Sequence, residues 1–241
     1  MAASVPAESP ARPAKDYLGT YTILTPILLN IGGLIIYSGY YALRYAAPGT
    51  VAGIPVGYVW LATEALILLL EWVLALSIIV RWRRSGVSLR ERIAPPGRIH
   101  WGPALALFLS WNGIFAVYLG LATRLYGDLT QSYAGLPGGV RLVLIVVLPL
   151  SAAFTEELIW RGYIITRLAA RGYGARAVVG LSALSFAAIH GIYLPDKLIV
   201  TFLIGVIAAW YFRREQHLGV LMVTHWFLDL WSFGLLLWAL S

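Results

Sequence analysis

The chain has 241 residues, of which 60% are hydrophobic and only 12% are charged. Soluble domains carry about 25% charged residues, so this composition excludes a soluble domain and indicates an integral membrane protein. The net charge of +7 does not predict a nucleic-acid partner, because the basic residues lie at the ends of apolar segments, where membrane topology requires them. The absence of cysteine excludes disulfides, thiolate metal ligands and a cysteine nucleophile.

Three regions follow one another along the sequence. Residues 1–16 contain no apolar stretch and are expected to form a disordered tail rather than a cleavable signal peptide. Residues 17–139 are predicted to hold N-terminal transmembrane helices and a basic cytoplasmic loop, and residues 140–241 a functional core. The apolar segments predict an all-α, polytopic integral membrane helix bundle of about seven transmembrane helices, at residues 17–43, 54–80, 101–123, 142–168, 177–194, 198–212 and 218–241.

The basic residues predict the orientation of this bundle. Most of them fall in alternate connections, including residues 81–98, 167–176 and 213–214, and few fall in the others. The positive-inside rule therefore places the N-terminus in the cytoplasm and the C-terminus outside, in the cell membrane if the source is prokaryotic. Residues 85–97 are expected to form a cytoplasmic loop with a short surface helix.

Six ionisable side chains lie inside, or at the edge of, segments that otherwise resemble membrane spans. Such residues cost several kcal/mol at bilayer depth unless they are paired or hydrated, so they mark candidate functional sites. They fall in three groups with a spacing of four residues, which are Glu157 with Arg161 after a second carboxylate, Phe186 with His190, and His225 with Asp229, and this spacing places each pair on one helix face. The six residues are Glu156, Glu157, Arg161, His190, His225 and Asp229.

Two carboxylates, two imidazoles and a further acid on neighbouring helices indicate a hydrolytic site. Peptide hydrolysis needs a base that activates water and donors that stabilise the oxyanion. Arg161 is placed to neutralise Glu157, which leaves Glu156 free for chemistry. His190 can orient the water or share its proton. His225 can donate to the oxyanion, and Asp229 can fix the tautomer of His225 or supply another contact.

Each of these residues also has an interpretation without chemistry. Arg161 could extend to the lipid phosphates, as arginines near helix ends do. A histidine in a membrane helix can simply bond the backbone of a neighbouring helix, and Asp229 could pack between helices. The occurrence of all six in three groups favours the functional interpretation.

The motifs together resemble a known family. The sequence has a paired-glutamate EExxxR motif, then FxxxH, then HxxxD, on successive predicted spans, and this ordered set is similar to that of the CPBP family, which contains type II CAAX prenyl endopeptidases and bacterial Abi proteins. The resemblance covers roughly residues 140–235. It implies an intramembrane endopeptidase in which Glu156 and His190 activate water. It also implies that His225 and Asp229 bind the oxyanion, with Glu157 and Arg161 in support.

Two further features of the sequence bear on the site. Glu64 and Glu71 lie seven residues apart on one face of the second predicted helix, and we expect them to pair with polar groups elsewhere in the bundle rather than to join the site. The cofactor is either none or one zinc ion. One glutamate and two histidines form a recognised catalytic zinc set, but the sequence has no HExxH motif and the same residues explain a metal-free mechanism.

Three functions can be compared with the sequence. The leading one is an endopeptidase that cuts membrane-associated proteins or peptides, with a CAAX-type prenylated substrate implied by resemblance only. A catalytically silent scaffold or bacteriocin-immunity-type binding protein would keep the same fold. A carrier of protons or small solutes would predict broken helices or an inverted repeat, and the sequence shows neither. The depths of His190 and His225 along their helices differ, and a water-filled cavity open to the cytoplasm would reconcile them.

Overall fold

The computed structural model describes residues 31–33, 35–36, 39, 50–51, 54–97, 99–126, 136–191 and 195–238. A short antiparallel pair, β1 (Thr50–Val51) and β2 (Ile54–Pro55), precedes the helices. The helices are α1 (Val56–Arg84), α2 (Leu89–Ile93), α3 (Trp101–Tyr126), α4 (Gly138–Glu156), a π-helical segment π1 (Glu157–Ile165), α5 (Thr166–Ala170), α6 (Ala175–Gly191), α7 (Pro195–Glu215) and α8 (Leu218–Trp238).

The predicted all-α bundle is confirmed, and six of the seven predicted spans coincide with helices. The remaining span, predicted at residues 17–43, lies largely outside the described residues, although those described within it are helical. The tail at residues 1–16 lies outside them entirely. The strand β2 was not predicted. Proline restricts the residue before it to extended backbone, so Ile54 pairs as a strand and the helix begins only at Val56.

Four helical stretches of the described chain are long and apolar enough to cross a membrane: Gly57–Arg84, Trp101–Leu125, Gly138–Ala170 and Pro195–Glu215. Ala175–His190 is a shorter apolar helix. Many large apolar side chains on these helices are exposed, including Leu69, Leu109 and Ile199. A bundle with an apolar outer surface suits a bilayer as its solvent, and the protein is therefore an integral membrane protein.

Basic residues cluster where α1 ends and α2 packs. Arg81, Arg83 and Arg84 lie in the last turn of α1. The predicted short helix in the following loop is confirmed as α2, whose first turn is capped by Ser88. A Cβ on Gly219 would lie 2.8 Å from the carbonyl oxygen of Ile93, so only glycine allows α2 to pack this closely against the start of α8.

Two histidines lie at the same end of the bundle, which we call the basic end. His100 contacts Glu215 with its Nδ1 atom 2.5 Å from a carboxylate oxygen, which joins the start of α3 to the end of α7. His217 precedes α8, and its Nδ1 accepts a hydrogen bond from the backbone N–H of Val220. Burial lowers the pKa of His217, which keeps the ring neutral and able to accept this bond.

The core of the bundle is formed by π1 and by the helix faces that pack around it. All nine residues of π1 are buried. Helices α6 and α7 approach each other closely, because a Cβ on Gly205 would lie only 3.1 Å from the Cα atom of Ala183. Trp82, Trp111 and Trp160 fill the space around these elements, and each has at most 2% of its surface exposed. The functional groups are therefore held in well-packed surroundings.

Candidate active site

The site is built where α4 changes into π1. Glu156 is the last residue of α4 and Glu157 is the first residue of π1. π-helical segments occur mostly within α-helices and often at functional sites. The two glutamates are adjacent in sequence, but they point to different neighbours. Their different surroundings separate their chemistry.

Glu157 forms a buried layer with Arg161 and His225. Its Oε1 atom accepts a hydrogen bond from Arg161 Nη1 at 3.0 Å and another from His225 Nδ1 at 2.9 Å. Neither Glu157 nor Arg161 is exposed. The predicted pairing of Glu157 with Arg161 is present, whereas the bond to His225 was not predicted. It fixes the ring of His225 with its Nδ1–H facing Glu157 and its Nε2 facing the other way.

Arg161 does not extend to the lipid phosphates. Its guanidinium carbon lies 4.2 Å from the centroid of the Phe186 ring and 5.9 Å from that of Trp111. These distances allow cation–π attraction in a dry environment, which is worth about 2 kcal/mol or more. A Cβ on Gly162 would lie 3.0 Å from Leu218 and 3.1 Å from Trp82, so the next residue is also held tightly. Arg161 is a buried charge that serves the site.

His190 is oriented by the backbone of its own helix. Its Nδ1 lies 2.8 Å from the carbonyl oxygen of Phe186. Because a carbonyl only accepts hydrogen bonds, Nδ1 carries the proton. The Nε2 atom is left facing Glu156, with 3.6 Å between Nε2 and Oε2. A neutral His190 therefore presents a bare nitrogen that can accept a hydrogen bond.

Glu156 is the carboxylate on which the other groups converge. Its Oε2 lies 3.6 Å from His190 Nε2 and 3.7 Å from His225 Nε2. Among the described residues, this buried oxygen has no hydrogen-bond partner. The two histidines, for which the sequence predicts different depths along their helices, therefore both lie close to the same carboxylate oxygen.

A cavity of about 170 Å³ borders Glu156. His190, His225 and Asp229 line it as well, whereas Glu157 and Arg161 do not. A single water needs roughly one probe sphere of such space, about 10–15 Å³, so the cavity has room for several. Water can therefore lie beside the Glu156 carboxylate and the two histidines.

Asp229 lies beside His225. Its Oδ2 is 3.5 Å from Nε2 of His225, and Asp229 lines the cavity. The Nδ1 side of the ring is bonded to Glu157. Of the two roles that the sequence left open for Asp229, this position favours a further contact at the cavity, and both roles stay predictions.

The sequence interpretation of Glu64 and Glu71 needs correction, because both line the same cavity as Glu156. Glu71 is 2% exposed, and its Oε2 accepts a hydrogen bond from Thr155 Oγ1 at 2.8 Å. The pairing of Glu71 with a polar group was expected, but its place beside the site was not. The spacing of seven residues was the available signal, because it places both acids on one helix face that can point inward.

The cavity extends away from the basic end, whereas the sequence analysis expected a cavity open to the cytoplasm. Apart from the site residues, the described residues that line the cavity lie in the middle of the helices or near the helix ends that are opposite to the basic end. Lys197, near the start of α7, lies at that opposite end, as does Phe233 in α8. The sequence analysis assumed an opening on the side where the basic residues cluster. Relative depth along single helices could not reveal on which side the helices separate.

The described residues do not form a ready metal site. Glu156, His190 and His225 are residue types that zinc enzymes use. Within the described ranges, however, no group of three or more His, Cys, Asp or Glu side chains is arranged to hold a metal ion. The Oε2 atom of Glu156 lies 3.6 and 3.7 Å from the two histidine nitrogens, and both alternatives of the sequence analysis, no cofactor or one zinc ion, stay predictions.

Comparisons with known proteins agree with the motifs. Residues 138–231 match the family model described as "Type II CAAX prenyl endopeptidase Rce1-like". Searches of the curated proteins and of the solved structures found no match. The matched region contains all six residues that the motifs singled out, and excludes Glu64 and Glu71. The resemblance predicted from the three motifs is confirmed, because residues 138–231 are similar to the Rce1-like domain of type II CAAX prenyl endopeptidases.

Proposed function

We propose that this protein is an intramembrane endopeptidase that hydrolyses peptide bonds of membrane-associated proteins or peptides. The observation that carries this proposal is buried Glu156, which lines a cavity and whose Oε2 lies 3.6 and 3.7 Å from two histidine nitrogens. The family of the matched domain supports a protease. A CAAX-type prenylated peptide is the first substrate to test, because that family is described by it.

The geometry supports a direct attack by water. A water in the cavity can contact both the Glu156 carboxylate and His190, which line it together. Glu156 takes a proton from this water while the oxygen attacks the carbonyl carbon of the substrate, and the carbonyl oxygen becomes an oxyanion. Glu156 then gives the proton to the leaving nitrogen as the oxyanion returns to a carbonyl and the C–N bond breaks, which yields a carboxylic acid and an amine.

His225 is the candidate donor to the oxyanion. The Glu157 carboxylate accepts from Nδ1, so a second proton on Nε2 is stabilised by the negative charge behind the ring. This Nε2 faces the cavity beside Asp229 and Glu156. A donor that is fixed before the reaction stabilises developing charge without reorganisation. Asp229, which donates only when protonated, acts here mainly through its contact with His225.

The proposed orientation follows from the charge distribution. The basic end of the described helices is assigned to the cytoplasm, with the N-terminus inside, the C-terminus outside and the protein in the cell membrane if the source is prokaryotic. The cavity extends toward the other end of the bundle. We therefore expect substrate to reach Glu156 from the non-cytoplasmic half of the bilayer.

The proposal is tested with the purified full chain in detergent. Prenylated and unprenylated copies of a CAAX peptide are incubated with wild type, Glu156→Gln and the surface control Glu91→Gln, and products are read by mass spectrometry. Glu156→Gln should lower the rate by ~10²–10⁴-fold while the thermal unfolding temperature stays unchanged, because a general base is lost but its shape is kept. Glu91→Gln should cleave as wild type does. Turnover by Glu156→Gln at the wild-type rate would refute the assignment of the base.

A further inference from the structure

A helix outside the matched domain holds the turn that carries Glu156. Glu71 of α1 is almost completely buried, and its Oε2 accepts a hydrogen bond from Thr155 Oγ1 at 2.8 Å. Thr155 is also fully buried and directly precedes Glu156 at the end of α4. The bond therefore joins α1 to the position next to the proposed base.

The next residue of α1 strengthens this junction. Trp72 donates from Nε1 to Ser151 Oγ at 2.6 Å, and its ring stacks on Phe154 with 5.5 Å between the centroids and an interplanar angle of 19°. Ser151, Phe154 and Thr155 belong to the last turns of α4. Two adjacent residues of α1 thus contact three positions of α4 immediately before Glu156.

The hydroxyl group of Thr155 has a choice of acceptors. It has one hydrogen to donate, and besides Glu71 it lies 3.1 Å from the carbonyl oxygen of Ser151 and 3.2 Å from that of Ala152. Bonding to these carbonyls would tie the side chain only to its own helix. The acceptor at 2.8 Å belongs to another helix, so Glu71 directs the bond outward and fixes the rotation of α4 relative to α1.

We propose that Glu71 is a positioning residue of the active site, which acts through Thr155 to present the Glu156 carboxylate to the cavity. The inference rests on the proposed role of Glu156 as the base. Glu71 lines the same cavity as Glu156, and the turn it holds ends where π1 begins. A displacement of about 1 Å at a reacting group can cost about 10²-fold in rate, so a bond at this turn can control turnover without touching substrate.

The test uses paired variants that remove or keep the bond. Glu71→Met and Thr155→Val remove an acceptor and a donor at nearly constant volume, whereas Glu71→Gln and Thr155→Ser keep them. We expect the first two to lower kcat by up to about 10²-fold with little change in KM. The two conservative variants should stay within about tenfold of wild type. Thr123→Val, which removes an exposed hydroxyl bonded within α3, is the control.

A double-mutant cycle decides whether Glu71 acts through Thr155. If it does, Glu71→Met combined with Thr155→Val loses little more than either single variant. Additive losses, or wild-type turnover by Thr155→Val, would overturn the proposal. Glu156→Gln is assayed in parallel, and wild-type turnover by that variant would instead refute the proposed function.

A second readout does not depend on a substrate. A hydrophobic carbodiimide modifies accessible carboxyl groups, and mass spectrometry measures its rate of reaction at Glu156. Glu71→Met and Thr155→Val should both change this rate in the same direction, and Thr155→Ser should restore it. An unchanged rate in both bond-removing variants would overturn the proposal even if no cleaved peptide had been identified.

Discussion

Glu157→Gln should destabilise the protein, whereas Glu156→Gln should leave it folded. Glu157 and Arg161 are both fully buried, and a single pair of atoms at 3.0 Å joins them. Loss of one partner from a buried ion pair costs about 3–5 kcal/mol, because the remaining charge has no counter-charge in a medium of low polarity. Glu156 has no hydrogen-bonded partner among the described residues, so its amide analogue leaves no charge uncompensated.

The surroundings of Arg161 do not remove this cost. Among the described residues, its Nε and Nη2 atoms have no hydrogen-bond partner. The ring of Phe186, 4.2 Å from the guanidinium carbon, offers about 2 kcal/mol of cation–π attraction, and this attraction is already present in wild type. The loss of the Glu157 charge is therefore not offset by a new contact, and the full 3–5 kcal/mol is expected.

The measurement is reversible unfolding in mixed detergent, followed by circular dichroism. Glu157→Gln should unfold at markedly lower denaturant than wild type, and Glu156→Gln at the same concentration as wild type. The double variant Glu157→Gln with Arg161→Met should recover part of the loss, since it removes both charges. Equal stability of Glu157→Gln and wild type would refute the buried ion pair, and a double variant less stable than the single one would refute its compensation.

Two further predictions concern the metal and the cavity. His190→Ala and His225→Ala should each inactivate the enzyme. Chelators should not inhibit it, and elemental analysis of active protein should find far less than one metal per chain. Stoichiometric zinc that is lost from both variants would instead make these histidines ligands. Since the chain has no native cysteine, Ala152→Cys, which lines the cavity, should react with a small thiol reagent, whereas buried Ala153→Cys should not. An impermeant reagent added to intact cells should spare Ser85→Cys at the basic end, and labelling there would reverse the orientation.

The helices were predictable because a bilayer restricts the chain so strongly. A span needs about 20 apolar residues, so uncharged stretches alone locate helices in the described part of the chain to within a few residues. The π-helical segment was not predictable in this way, since a pattern of apolar residues assumes a fixed helical period and every position of π1 is buried. Its beginning at Glu157 depends on packing from several helices, which no local pattern encodes.

The members of the site were more predictable than their partners. Spacing of four residues identified the Glu157–Arg161 pair, and the structure shows it. The bond from His225 to Glu157 joins residues 68 positions apart, so only the packing of α8 against π1 could reveal it. Glu71 shares a helix face with Glu64, but this spacing does not reveal the partner of Glu71 in another helix. Its bond to Thr155, 84 positions away, likewise exists only in the folded bundle.

The packing places the adjacent, identical side chains of Glu156 and Glu157 in different environments. Successive residues of a helix point in directions roughly 100° apart, so Glu156 and Glu157 cannot share one environment. Glu157 points into the core, where a fixed cation and an imidazole N–H hold its negative charge. Glu156 lines the cavity, and its Oε2 has no hydrogen-bond partner among the described residues. Under the proposed function, one carboxylate serves structure and the other serves chemistry, a separation that environment rather than residue type determines.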